Sequence, residues 1–172
     1  MGIGGQQVTI VVDVANVMGS RPDGWWRDRP GAAVRLHGEI VRLARSGRAT
    51  PPADPASAQP SPAPAQPSPV PDEPSAGAPG FVMVLEGAAR AAAARLAAAE
   101  PDADADGTGP VRPGEVRVVQ ARGSGDDTIV AVVRELPGRR VVVTADRELR
   151  ARCTAAGAEI LGPGWLLGLL RG

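Results

Sequence analysis

The chain has 172 residues, of which 43% are hydrophobic, and this is enough to bury one ordinary core. Its formal net charge is +0, so no overall field attracts nucleic acid or an anionic membrane. All 19 basic residues are arginines, which excludes chemistry that requires lysine, and the single Cys153 excludes an internal disulfide and a cysteine zinc cluster.

The sequence also indicates where the protein is found. No apolar run approaches the ~20 residues that span a bilayer, and the first residues show neither the basic nor the apolar region of a secretory signal. A single cysteine suits a reducing compartment. We therefore expect a cytoplasmic protein with no membrane partner, while its oligomeric state stays undetermined.

The first predicted strand covers residues 8–12, a β-branched run that is apolar on both faces. Such a run is typical of a strand inside a covered parallel sheet. Asp13 follows directly, and Asn16 lies three residues further on. Ligands of open α/β sheets bind beyond the carboxyl ends of the strands, so Asp13 is the first candidate functional residue. The alternative at this point is that Asp13 only caps the following turn.

The loop after this strand contains a tryptophan pair, Trp25 and Trp26, in a protein with only 2% aromatic residues. One indole could stack on a nucleobase while Arg27 or Arg29 contacts a phosphate. The pair could also close the core above the first helix. We expect one tryptophan to be structural, and we take Trp25 and Arg27 as candidate substrate-binding residues.

A helix is predicted from Asp28, a suitable N-cap, to about Arg45. From about residue 46 to 80, Ala, Pro, Ser and Gln dominate and the apolar periodicity vanishes. Such a tract cannot bury enough surface to offset its ordering entropy, which predicts a disordered insert of polyproline II character. Because neither flank could form a core alone, we expect a single domain over residues 1–172 that this insert interrupts.

The remainder of the chain alternates between strand and helix patterns. Four further strands are predicted, at residues 81–85, 116–119, 140–144 and 158–161. Helices are predicted between and after them, at residues 87–100, 125–135, 146–157 and 164–170. This alternation predicts a three-layer α/β/α sandwich around a mainly parallel sheet.

Acidic residues follow four of the predicted strands, namely Asp13, Glu86, the Asp126–Asp127 pair and Asp146. Each could be a helix cap, since carboxylates are favourable at helix N-termini. Parallel strands, however, bring all of them to one end of the sheet, where clustered carboxylates repel. The natural counter-charge is a hard divalent cation with oxygen ligands, Mg²⁺ or Mn²⁺. Such an ion can activate water and stabilise a displacement at phosphorus.

Three segments carry most of these polar residues: Val11-Val12-Asp13-Val14-Ala15-Asn16, Gly125-Asp126-Asp127-Thr128 and Val143-Thr144-Ala145-Asp146-Arg147. In order and spacing they resemble the motifs of the NYN branch of PIN-like nucleases, and the resemblance extends over the chain apart from the insert. It implies a PIN-like α/β sandwich with a metal-dependent acidic site that cleaves RNA.

The resemblance also implies roles for individual residues. Asp13, Asp127 and Asp146 take the catalytic, metal-binding positions, and Asn16 lies alongside Asp13. Glu86 occupies the place of the acid after the second strand, and Asp126 is either a further metal ligand or the helix cap. The candidate substrate-binding residues beside these acids are Asn16, Ser124, Thr144 and Arg147.

Two alternatives to RNA cleavage stay open. The same metal site could hydrolyse small nucleotides, which suits the neutral charge because no basic face for a long RNA is obvious. The chain could also be a degenerate PIN-like module that binds RNA or a protein without catalysis.

Overall fold

The computed structural model describes residues 7–52, 78–97 and 109–172. Its strands are β1 (Val8–Asp13), β2 (Gly80–Leu85), β3 (Val116–Gln120), β4 (Arg139–Val143) and β5 (Glu159–Leu161). Its α-helices are α1 (Val14–Gly19), α2 (Arg29–Ser46), α3 (Ala92–Ala97), α4 (Gly125–Glu135), α5 (Arg147–Ala155) and α6 (Pro163–Arg171). The strands form one sheet in the order β3-β2-β1-β4-β5, and every neighbouring pair is parallel.

The strand order reverses between β1 and β4. The chain runs outward from β1 through β2 to β3, then returns to place β4 on the other side of β1. This reversal is the topological switch point, beside which open α/β sheets bind their ligands. Val12 pairs with Val143 in the register, so Asp13 and Thr144 follow them side by side at the carboxyl end of the sheet.

The sheet is buried on both faces because alternate strand residues point to opposite layers. On one face, Ile10, Val12 and Phe81 pack in a core that includes residues of α1, α2, α3 and α6. On the other face, Val11 and Val82 pack in a core that includes residues of α4 and α5. The predicted three-layer α/β/α sandwich is therefore confirmed, and the sheet is parallel throughout the described residues.

The predicted strands are all present, but the helical segments differ in detail. The helix predicted at residues 87–100 begins as a 3₁₀ turn, Gly87–Ala91, and continues as α3, while residues 98–100 lie outside the described part of the chain. The short α1 and a 3₁₀ turn at Trp25–Arg27 were not predicted. None of the described helices has the length and apolar character needed to cross a membrane.

Several residues at both ends of the insert predicted at about 46–80 belong to the ordered fold. Ser46 closes α2, Ala49 is fully buried, and Gly80 opens β2. The guanidinium of Arg139 also donates to the carbonyls of Pro51, at 3.5 Å, and Pro52, at 2.5 Å. These residues therefore belong to the packed fold, whereas residues 53–77 of the predicted insert lie outside the described residues.

Candidate active site

Asp13 is the last residue of β1 and is only 7% exposed. Its Oδ1 accepts a hydrogen bond from the backbone N–H of Asn16 at 3.2 Å, and its Oδ2 accepts one from the Thr144 hydroxyl at 2.9 Å. The first bond makes Asp13 the N-cap of α1, so the capping role considered from the sequence is present. Capping uses one carboxylate oxygen and leaves the charge in place at the switch point.

The environment of Asp13 disfavours that charge. Burial raises the pKa of Asp13 above its ordinary value, while the hydrogen bonds from Thr144 and Asn16 lower the pKa by less. Repulsion from the carboxylates of Glu86 and Asp126 raises the pKa of Asp13 further. A buried carboxylate with a raised pKa beside other acids is typical of a functional site.

Two polar side chains join the end of β1 to the end of β4. The Thr144 hydroxyl donates to Asp13 and accepts from the backbone N–H of Asp146 at 3.1 Å. The side-chain oxygen of Asn16 accepts from the backbone N–H of Ala145 at 3.0 Å. Thr144 is a candidate substrate-binding residue by sequence, but it is fully buried and its hydroxyl supports Asp13.

Glu86 follows β2 and reaches the start of α4. Its Oε2 accepts a hydrogen bond from the backbone N–H of Gly125 at 2.9 Å. A Cβ atom on Gly125 would lie 2.0 Å from that oxygen, so this close approach requires glycine. The N-terminus of α4 thereby offsets part of the Glu86 charge.

Asp146 and Asp126 complete the group of interacting acids. Asp146 caps α5, since its Oδ1 accepts from the backbone N–H of Leu149 at 2.8 Å. Burial raises the pKa of Asp126, and the charges of Asp146 and Glu86 raise it further. We use the name acidic cluster for the four acids that these interactions connect, which are Asp13, Glu86, Asp126 and Asp146.

Asp127 does not belong to this cluster. Its side chain is 70% exposed, and its Oδ1 lies 2.5 Å from a guanidinium nitrogen of Arg152 on α5. The sequence had indicated Asp127 as the catalytic member of the pair and Asp126 as the uncertain one, and this geometry favours the reverse. Successive helical residues point about 100° apart, so α4 directs Asp126 toward the other acids and Asp127 toward solvent.

A divalent cation requires oxygen ligands that converge on one point. Among the described residues, no group of three or more His, Cys, Asp and Glu side chains is arranged to hold a metal ion. Mg²⁺, however, usually keeps several waters and takes only one or two carboxylates from the protein. Within the same residues, Asp126 accepts no hydrogen bond, and Glu86 and Asp146 each keep one oxygen without a donor. A cation at this place would therefore be held by few protein oxygens and by several waters.

The tryptophan pair has divided roles. Trp25 packs against the core, and the guanidinium carbon of Arg29 lies 5.3 Å from its ring centroid. Trp26 is 57% exposed and meets Trp25 edge to face, with the ring centroids 6.3 Å apart. Trp25, a candidate substrate-binding residue from the sequence, therefore packs against the core, and Trp26 is the exposed member of the pair.

The other predicted substrate residues lie near the carboxyl end of the sheet. Ser124 caps α4, its Oγ accepting from the backbone N–H of Asp127 at 3.4 Å. Arg27 and Arg147 are exposed, and no carboxylate in the described part of the chain pairs with either. Sequence reasoning missed Arg152, whose position opposite Asp127 depends on how α4 and α5 pack.

The fold was compared with known proteins. A crystal structure of a point variant of Rae1 (YacP) from Bacillus subtilis matches with a TM-score of 0.53 and 12% sequence identity, over 96% of this chain and 74% of that chain. No protein-family model matches the sequence, and neither does any curated protein. At this identity the likeness concerns the fold alone, an α/β fold with a parallel sheet.

Proposed function

We propose that this protein hydrolyses phosphodiester bonds of RNA at the carboxyl end of its sheet, with Mg²⁺ or Mn²⁺ as cofactor. One observation carries the proposal: Asp13 is buried at the switch point with its pKa raised by burial and by neighbouring acids. No ion pair among the described residues offsets the charge of Asp13. A bound cation would offset it.

The acidic cluster, Asp13, Glu86, Asp126 and Asp146, supplies the one or two carboxylates that would hold a hydrated cation. When bound, a divalent cation lowers the pKa of a coordinated water and stabilises charge that develops at phosphorus. Thr144 and Asn16 hold the Asp13 carboxylate in one orientation through their hydrogen bonds. Asp127 then has a peripheral role, since Arg152 already pairs with it.

The choice of RNA as substrate depends on resemblance. The motifs around Asp13, Asp126 and Asp146 resemble those of NYN-type nucleases, and the fold similarity to Rae1 supports a nuclease-like function in general terms. The exposed Arg27 and Arg147 add positive charge at this end of the sheet, although the chain as a whole has a net charge of +0.

A cleavage assay tests the proposal. The purified protein is incubated with single-stranded RNA, single-stranded DNA or nucleoside triphosphates, in EDTA, Mg²⁺ or Mn²⁺. RNA cleavage is expected only with metal, and Asp13→Asn and Asp146→Asn should each lower turnover by ~10²-fold or more, the lower end of the effect of losing a catalytic acid. Glu135→Gln is the matched control, because Glu135 is an exposed acid at the far end of α4.

Other outcomes would replace the proposal. Hydrolysis of triphosphates without RNA cleavage would make the protein a small-nucleotide hydrolase. RNA binding without any turnover would make it a non-catalytic module. Turnover that is insensitive to EDTA, or equal losses in Glu135→Gln and Asp146→Asn, would remove the acidic cluster from the chemistry.

A further inference from the structure

The connection from α1 to α2 lies at the same end of the sheet as the acidic cluster. Helix α2 carries the chain from the carboxyl end of β1 to the amino end of β2, since the two strands are parallel. Its first residues, and the Trp25–Arg27 turn before them, therefore lie at the carboxyl end. A side chain exposed in this turn is on the side where a substrate would approach.

Trp26 is the side chain that this turn exposes. At 57% exposure it is the one large hydrophobic residue of the described chain that is exposed to solvent. Its neighbour Trp25 packs against the core and meets the Trp26 ring at an interplanar angle of 86°. Arg29 covers Trp25 from outside, at 5.3 Å from its ring centroid. Trp26 is thus in contact with Trp25 on one side, while more than half of its surface faces water.

Local backbone contacts fix the turn that presents Trp26. Gly24 has a φ of 74°, a left-handed conformation that favours glycine, and its carbonyl accepts from the backbone N–H of Arg27 at 3.0 Å. The Asp23 carboxylate accepts from the backbone N–H of Trp25 at 3.2 Å. Asp28 then caps α2 by accepting from the backbone N–H of Gly31 at 2.9 Å. The indole is therefore held on an ordered turn.

We propose that Trp26 is a stacking platform for an unpaired nucleobase, and that Arg27 contacts the phosphate next to that base. This inference rests on the proposed function and adds a substrate class to it: single-stranded nucleic acid. An exposed indole offers its face to any unpaired base, whereas the bases of a duplex are already stacked. The polar residue beside it is a cation, since Arg27 is exposed and pairs with no carboxylate of the described residues. An exposed indole can stack on the base of a nucleotide, and the exposed guanidinium beside it can contact the phosphate.

Equilibrium binding tests this platform without cleavage. Fluorescence anisotropy measures the affinity of the full-length protein, in EDTA and low salt, for a labelled single-stranded RNA of about ten nucleotides and for its duplex. The wild type should prefer the single strand. Trp26→Leu should weaken single-strand binding by about 5- to 100-fold, the range that one lost stacking contact gives, and Trp26→Phe should retain most of the affinity.

Matched controls separate stacking from charge and from folding. Arg27→Ala should weaken binding and reduce its salt dependence, whereas Arg134→Ala, an exposed arginine at the far end of α4, should do neither. Binding of the single strand should also quench tryptophan emission in the wild type, and quench it less in Trp26→Phe. Thermal melts of Trp26→Leu check that the fold is intact, as expected for an exposed position.

The outcomes also separate this inference from the proposed function. Unchanged single-strand affinity in Trp26→Leu, equal affinity of the wild type for duplex and single strand, or no binding of the single strand overturns the platform, even if metal-dependent cleavage is found. Conversely, Trp26-dependent binding without cleavage supports the stacking platform and overturns the proposed hydrolase function.

Discussion

The two ends of the parallel sheet handle charge in opposite ways. At the amino end, arginines meet carboxylates and carbonyls: Arg139 binds both oxygens of Glu159, at 2.8 and 2.7 Å, and Arg117 lies 3.2 Å from Glu115. At the carboxyl end, the acidic cluster brings like charges together. Its carboxylates accept hydrogen bonds from backbone N–H groups and from the Thr144 hydroxyl.

This difference indicates which end is built for stability and which for chemistry. Paired charges satisfy each other and need no ligand. The neighbouring acids help to raise the pKa of Asp13 and of Asp126, and this repulsion lowers stability unless a cation binds. Proteins commonly keep destabilising arrangements of this kind at functional sites. Substitutions in the acidic cluster should therefore lower turnover, and those of the paired charges at the amino end should affect stability alone.

The largest expected effect separates two adjacent residues of the carboxyl end. Asp126→Asn should lower turnover by ~10²-fold or more, because it removes a carboxylate that interacts with Asp146 and Glu86. Asp127→Asn should stay within about fivefold of wild type, since exposed ion pairs such as the one with Arg152 are worth about 1 kcal/mol or less. Steady-state kinetics on the substrate identified by the cleavage assay measures both. The reverse ranking would restore the assignment that the sequence motifs favoured.

This pair of residues also shows how far sequence reasoning extends. The strands and the acids that follow them were predictable, because buried β-branched runs and strand ends leave a signal in the sequence. Which of Asp126 and Asp127 turns inward was not, since that depends on where Ser124 starts α4. The same limit applies to Trp25 and Trp26, which a 3₁₀ turn directs to different environments.

Helix α1 was missed for a related reason. Its six residues, Val14–Gly19, have only modest intrinsic helix preference. The helix is stabilised by the burial of Val14, Val17 and Met18 in the core and by the cap from Asp13, which are tertiary and local contacts that periodicity does not reveal. The supporting role of Thr144 likewise depends on β4 lying beside β1, a strand order that the sequence did not specify.

A smaller effect is expected from the approach of Glu86 to α4. Gly125→Ala would place a methyl group 2.0 Å from the Glu86 carboxylate, so the carboxylate must move. Because this carboxylate ends a flexible, half-buried side chain, it can turn away at a cost of about 1 kcal/mol, that of its lost hydrogen bond from the Gly125 N–H, and displacement of Glu86 should also lower turnover. Gly123→Ala is the control, because a Cβ at Gly123 meets nothing within 4 Å. Urea unfolding measures both variants, and equal stabilities would show that Glu86 moves aside freely.

A substitution at the amino end should lower the stability of the protein without lowering its activity. Arg139→Ala removes the contacts to Glu159 and to the carbonyls of Pro51 and Pro52, and should lower the unfolding free energy by about 1–2 kcal/mol. Turnover of the folded variant should match wild type. Arg134→Ala, at an exposed position, should leave both quantities unchanged. A fall in turnover for Arg139→Ala at temperatures where the variant is fully folded would contradict the division between the two ends.

The smallest expected effect concerns Asp13 and depends on pH and metal. The pKa of Asp13 is higher in the folded protein than in the unfolded chain, so ionisation of this carboxyl destabilises the fold. Its contribution to stability is largest below the ordinary aspartate pKa. That contribution is lost as pH rises through the raised pKa of the folded state. Asp13→Asn removes this loss and retains an oxygen that can cap α1. Without metal, the variant should therefore melt about 2–4 °C above wild type near neutral pH, a shift on the order of 1 kcal/mol.

That difference should shrink as pH falls through the raised pKa of Asp13 and vanish below the ordinary aspartate pKa, where the carboxyl is protonated in the folded and the unfolded protein. Excess Mn²⁺ should reverse the sign, because wild type gains binding free energy through linkage and the variant has lost a ligand. Differential scanning fluorimetry of both proteins, in EDTA and in Mn²⁺ across this pH range, measures the whole pattern. If Asp13 were only a cap, the variant would melt at or below wild type in EDTA, and the gap between the two would depend neither on pH nor on metal.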